Sequence, residues 1–205
     1  MPQVETRHGD RAAGIALVAA AAVSMLAMAH HPSSLNAGAM IGLVHGVMIL
    51  VVGAMLYGFA HFSRRRGLGR PAVLAGLVAL AISAAANIGA ATINGFVLPA
   101  LPGHGSAMHH DLFGFAWAMN QALAALAAIA LGAAYTLWSL DLLRTNRLLA
   151  ALGLLAGGVP AVLLLGGWID MHLPTAILVY AAQVLWAALL GWLMLRGGLD
   201  VTSDR

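Results

Sequence analysis

The sequence predicts an all-α, polytopic membrane helical bundle, a single domain of six transmembrane helices with N- and C-termini cytoplasmic. Three observations predict it. Hydrophobic residues make up 61% of the 205-residue chain and charged residues only 8%, with a mean hydropathy of +0.90, far from the composition of a water-soluble domain. The apolar residues gather into six runs, each near the ~20 residues that cross a bilayer. All ten basic residues are arginine, and they fall only at the N-terminus, in the second and fourth loops and at the C-terminus. Under the positive-inside rule that placement puts both ends in the cytoplasm.

Taken in order, the polar stretch 1–11 precedes span one, about 12–29. Leu26-Ala27-Met28-Ala29 also has the small-residue look of a signal-peptide cleavage site, but Glu5 and Asp10 dilute the basic flank, and a retained anchor is expected. A turn containing Pro32 leads into span two, about 40–62, which ends in Arg64-Arg65-Arg66 and Arg70. Span three, about 72–101, is long enough to tilt. A loop with His104, His109, His110 and Asp111 follows, then span four, about 112–140, which carries Asn120 and Gln121. Span five, about 148–169, holds Gly157-Gly158-Val159-Pro160, where a proline in mid-helix predicts a kink. Asp170–Pro174 turn the chain into span six, about 174–195. Tyr57, Tyr135, Trp138 and Trp192 near the inner ends, with Trp117 and Trp168 near the outer ends, read as interfacial belts. The patterns Gly42-x-x-x-Gly46 and Gly153-x-x-x-Gly157 read first as close helix packing.

Composition narrows the chemistry. Without cysteine there are no disulfides and no thiolate metal sites. The net charge of +3 is spread between apolar spans rather than gathered on a soluble face, so nucleic acid is not an expected partner. Membrane lipid is, and a homo-oligomer is left open.

Polar residues concentrate at the outer level. His30, His31, His104, His109, His110 and His172 fall there with Asp111 and Asp170. His109, His110, Asp111 and His172 are the candidate metal ligands. Imidazole with carboxylate suits zinc, iron, nickel or copper(II), and the thioethers of Met28, Met40, Met108 and Met171 at the same level would tilt the preference toward copper(I). The plain alternative is a polar rim that binds nothing, since no His-x-x-x-His places two ligands on one helical face. His45 is different. It sits inside span two, roughly 8 Å below its outer end at 1.5 Å per residue. Ser83, Asn87 and Asn94 share a face of span three within about 40°, and Asn120, Gln121 and Gln183 lie at comparable depth in spans four and six. Amides in hydrocarbon must face a partner or a cavity, so these faces should converge on an outward-opening pocket; interhelical hydrogen bonding alone would also account for them.

Some of these residues form a pattern. His45-Gly46-Val47-Met48, Ala86-Asn87-Ile88-Gly89, and Gly103 followed eight residues on by Asp111-Leu112-Phe113 resemble the small haem-b membrane isomerases of the styrene oxide isomerase type. The Pro32 turn followed by Gly42 and Gly46 is similar to the related hydroxylaminobenzene mutases. The resemblance covers roughly residues 32–136. It implies ferric haem acting as Lewis acid on a small lipophilic substrate, converting an epoxide to an aldehyde. The chain also departs from the family. The family's haem-ligating histidine falls at about Ala39; His45 stands where the family has asparagine, Ser83 where it has aspartate, and Ala91 where it has tyrosine. Asn87 is kept, and spans five and six are additional. If the resemblance holds, His45 is the substitute cofactor ligand, with Asn87 or Asn120 orienting the substrate.

The sequence therefore leads to the expectation of a multi-pass protein of a bacterial-type inner (plasma) membrane. Its His/Asn-lined outer pocket would bind haem b or a transition metal and act as an isomerase or redox enzyme on a small lipophilic substrate. A metal-handling protein or permease with an outer His/Met rim is the first alternative. A non-catalytic assembly or structural protein is the second.

Overall fold

A computed structural model describes residues 2–31, 39–101 and 107–197, with side chains at 7–31, 40–101, 108 and 110–197. Every regular element among them is helical, and six helices are long and apolar enough to cross a membrane. They are α1 (Pro2–Ala29), α2 (Ala39–Arg66), α3 (Pro71–Ala100), α4 (Ala107–Leu142), α5 (Arg147–Leu165) and α6 (Leu173–Leu195). The Pro32 turn and the stretch holding His104 lie outside the described residues.

Local chemistry sets the helix ends. Gly67, at φ +100°, turns the chain after α2, and Pro71 opens α3 at a position where its missing N–H costs nothing. The Asn146 side chain accepts the Leu149 N–H at 3.0 Å and caps α5. Gly166 and Gly167, the latter at φ +67°, close α5 at Leu165.

Neighbours in sequence pack as neighbours in space, and α6 closes the ring against α1. Small residues make the closure tight. A Cβ on Gly14 of α1 would lie 2.7 Å from the Gly191 carbonyl of α6. Gly157 meets Gly132 in the same way, its Cβ falling 2.7 Å from the Gly132 carbonyl, so α4 and α5 touch at backbone distance.

The mid-helix prolines act by widening the helix rather than breaking it. Leu154–Gly158 is a π turn, with Pro160 two residues beyond its end. Ile93–Val97 of α3 is another, with Pro99 at the same offset. A proline removes its own N–H and crowds the carbonyl four residues back, and a wider turn relieves both.

At the arginine-bearing end the core is aromatic. Phe59 stacks on Trp138 at 5.0 Å between centroids, and Tyr135 lies 4.2 Å from Trp186. Tyr135 and Trp138 are fully buried, so they belong to the core and not to an interfacial belt; Tyr57 and Trp192 remain uncovered at the surface. Two ion clusters tie the same end together. Arg66, nearly buried, grips Asp141 through Nε at 2.7 Å and NH2 at 2.6 Å, and Arg70 takes the other carboxylate oxygen at 2.9 Å. His61 donates Nε2–H to Asp10 at 2.7 Å, and Arg65 reaches the same oxygen at 3.1 Å.

Candidate functional site

The opposite end, free of arginine, holds a cavity in two joined chambers. The outer chamber, about 110 Å³, takes His45 and Met48 from α2, Asn87 and Asn94 from α3, and Asn120 and Gln121 from α4. Met28 and His31 at the end of α1, and Met171 and Tyr180 from the α6 side, complete its wall. The deeper chamber, about 180 Å³, is apolar, walled by Met25, Val51, Met55, Leu131 and Val184 among others. Met28, Met48, Asn87, Ala91 and Tyr180 face both chambers. The whole is an amphipathic space, polar toward one end of the bundle and apolar toward its middle.

His45 is the best-defined group in it. The side chain is 3% exposed, and Nδ1 donates to the Ile41 carbonyl at 2.7 Å. That bond fixes the proton on Nδ1 of the neutral ring, so Nε2 presents a lone pair, and it has no protein partner among the described residues. His31 packs edge-on against it, centroids 5.1 Å apart. Behind it lies the π turn of α3. Gly95 has no room for a side chain, because a Cβ there would press on the His45 Cβ and sit 2.9 Å from its Cγ. The widened turn and the glycine together bring the α3 backbone against the imidazole.

The amides divide by partner. The Ser83 hydroxyl donates to the Ala127 carbonyl at 2.8 Å and so joins α3 to α4. Asn87 accepts from the Tyr180 hydroxyl at 3.3 Å and lines the cavity, its NH2 without a partner among the described residues. Asn120 is 6% exposed, lines the outer chamber and makes no protein hydrogen bond among the described residues. Gln183 is fully buried; its Nε2 donates to the Ala128 carbonyl at 3.1 Å, while its Oε1 has no partner at the wall of the deeper chamber.

The structure thus brings His45, Asn87 and Asn120 together. The loop residues do not join them. His110 and Asp111 are exposed and off the cavity wall, and the side chain of His109 lies outside the described residues. His172 is exposed and paired locally, its Nδ1 2.8 Å from Asp170 and its backbone N–H donating to the same carboxylate at 3.0 Å. Those two bonds hold the Asp170 carboxyl below the usual carboxylate range. Among the described residues, no three His, Asp or Glu side chains gather to hold a metal ion.

Sequence reasoning placed the thioethers of Met28 and Met171 at this level but missed Tyr180, which nothing in its surroundings flags, and the thioether of Met48. Met48 was findable, since His45-x-x-Met48 is an i,i+3 pair on one helix.

The cavity's chemistry also bears on a haem. A porphyrin would find the imidazoles of His45 and His31 at one end of the cavity. Its propionates would find no cation, because no arginine lines either chamber and the described arginines lie at the other end. Chambers of about 110 and 180 Å³ also fall below the ~300–1,000 Å³ that drug-sized ligands occupy. Among the described residues, the site does not fit a haem. No protein-family model, curated protein or solved structure matches the chain, so the resemblance to the styrene oxide isomerase type rests on its own motifs.

Proposed function

We propose that this chain is a multi-pass protein of a bacterial-type inner membrane whose cavity opens outward and takes a small lipophilic molecule carrying one polar end, on which it acts as an isomerase or oxidoreductase. The observation that carries this reading is the joining of a polar and an apolar chamber through shared walls, with the unpartnered His45 Nε2 and Asn120 at the polar end. The orientation rests on the arginines, whose end is assigned to the cytoplasm. The apolar body would occupy the deeper chamber. Its oxygen would meet the NH2 groups of Asn87 and Asn120, with Tyr180 holding the Asn87 carboxamide in position. A transition-metal ion at His45 would supply Lewis acidity for that oxygen.

The test uses protein purified in mild detergent, titrated with styrene oxide and with ethylbenzene, which keeps the ring and lacks the oxygen. The epoxide should bind saturably and the hydrocarbon far more weakly. Asn120→Leu should weaken the epoxide by up to about tenfold, since one hydrogen bond contributes roughly 1 kcal/mol. Phenylacetaldehyde in the reaction mixture would establish the isomerase. Equal binding of the two ligands, or indifference to Asn120→Leu, would sink the reading.

A further inference from the structure

We infer that the outer chamber is a copper(I) site built from two imidazole–thioether pairs facing each other across α1 and α2. The inference rests on the reading of this cavity as a binding site; an ion this soft polarises an oxygen weakly, so it serves the oxidoreductase form of that reading and not the isomerase form.

The end of α1 carries Met28-x-x-His31, and the start of α2 carries His45-x-x-Met48. Spacing of three puts the members of the second pair side by side on one helical face. His31 lies two residues beyond α1, and its N–H donates to the Met28 carbonyl at 3.2 Å, so a turn keeps the first pair close as well. All four side chains line the same chamber, and the two rings meet edge to face at 5.1 Å. Met171, 5% exposed, adds a third thioether from the segment before α6.

Three features choose the ion. The best-defined donor is His45, a residue 3% exposed that lines the chamber, whose Nδ1 bond to Ile41 leaves Nε2 without a partner among the described residues. A second bond at the far nitrogen is how proteins fix the tautomer of a ligating histidine. No carboxylate lines the chamber, so a divalent ion would bring two charges into a low-dielectric wall with no counter-charge. A monovalent, soft ion brings one, and thioether with imidazole is the donor set that selects it. Gly95 keeps the geometry, since any side chain there would displace the imidazole.

The experiment supplies copper(I), under ascorbate, to the detergent-purified chain in competition with bathocuproine disulfonate, and records X-ray absorption on the complex. The expected result is one copper per chain with both nitrogen and sulfur scatterers. Met48→Leu keeps the volume, so the fold should survive while copper affinity falls; His45→Ala should abolish binding, and His61→Ala should leave it unchanged. Asn120→Leu should keep copper and lose epoxide affinity. Absence of copper binding, nitrogen and oxygen scatterers only, or copper retained in a His45→Ala/Met48→Leu double variant would each overturn the site. If copper fails while Asn120-dependent epoxide binding persists, the ion is wrong and the pocket stands. If copper binds as expected and the epoxide does not, the site stands and the lipophile reading falls.

Discussion

Gly95→Ala perturbs the cavity at its tightest contact. The added Cβ would press on the His45 Cβ and lie 2.9 Å from its Cγ, about 0.5 Å inside ordinary contact distance. These are the atoms nearest the α2 backbone, not the tip of a flexible chain, so relief requires α2 and α3 to separate or the imidazole to swing off the Ile41 carbonyl. Overpacking of this kind costs about 1–3 kcal/mol, and the better helix propensity of alanine returns up to about 1 kcal/mol. A net loss of about 1–2 kcal/mol lowers the melting temperature of a chain this size by roughly 2–8 °C. Gly53→Ala is the matched control on α2, because no atom lies within 4 Å of its Cβ. Thermal unfolding in detergent, followed by Trp fluorescence, measures stability, and the copper competition measures the site. Gly95→Ala should lose both stability and copper affinity, and Gly53→Ala neither. Equal melting of the two variants, with copper affinity intact, would refute the argument that the π turn and glycine set the His45 position.

Three further outcomes are expected. Asp141→Asn strands the nearly buried Arg66 and should cost about 3–5 kcal/mol in SDS unfolding, much of which an Arg66→Met/Asp141→Leu pair should restore. A reporter after Arg66 or Arg147 should read cytoplasmic and one near Gly105 periplasmic; a cytoplasmic signal near Gly105 would end the case for an outward cavity. The Asp170 carboxyl is held low, so its pairing with His172 is present above the ordinary carboxylate value of about 3.9 and lost as pH falls through its lowered one. The Trp168 signal, taken as the difference from Trp168→Phe, should therefore be insensitive to that titration between about pH 5 and 8 and change only in acid.

The six helices were legible because hydrocarbon-length apolar runs have few other meanings, and His45 was legible as a lone imidazole within one. The aromatic core was not. Tyr135 and Trp138 sit at the right depth for a belt, and only packing against Phe59 and Trp186 shows them turned inward. The Arg66–Asp141 clamp was hidden for a similar reason, since Asp141 lies 75 residues away at what the sequence shows as a helix end. On the site, Asn87 and Asn120 were singled out by the cost of burying amides and Met28 and Met171 by their level, whereas Met48, one turn below His45 inside the span, was not. The Pro160 distortion was visible, yet Pro99, close to the expected end of its span, gave no sign that it would widen the helix beside His45.

A π turn holds one residue more than the α-helix it interrupts, so each marks a place where the chain carries a spare residue. Deleting one residue from Leu154–Gly158 would leave the faces on either side in their present directions, provided that Pro160, whose clash the wide turn relieves, is replaced as well. Elsewhere in a span the same deletion would rotate everything beyond it by about 100°. The turn at Ile93–Val97 has the same tolerance of length, but there the surplus residue is what carries Gly95 against the imidazole. Of two equivalent allowances in the bundle, one is thus tied to Pro160 and could vanish with it in a shorter chain, and the other is tied to His45.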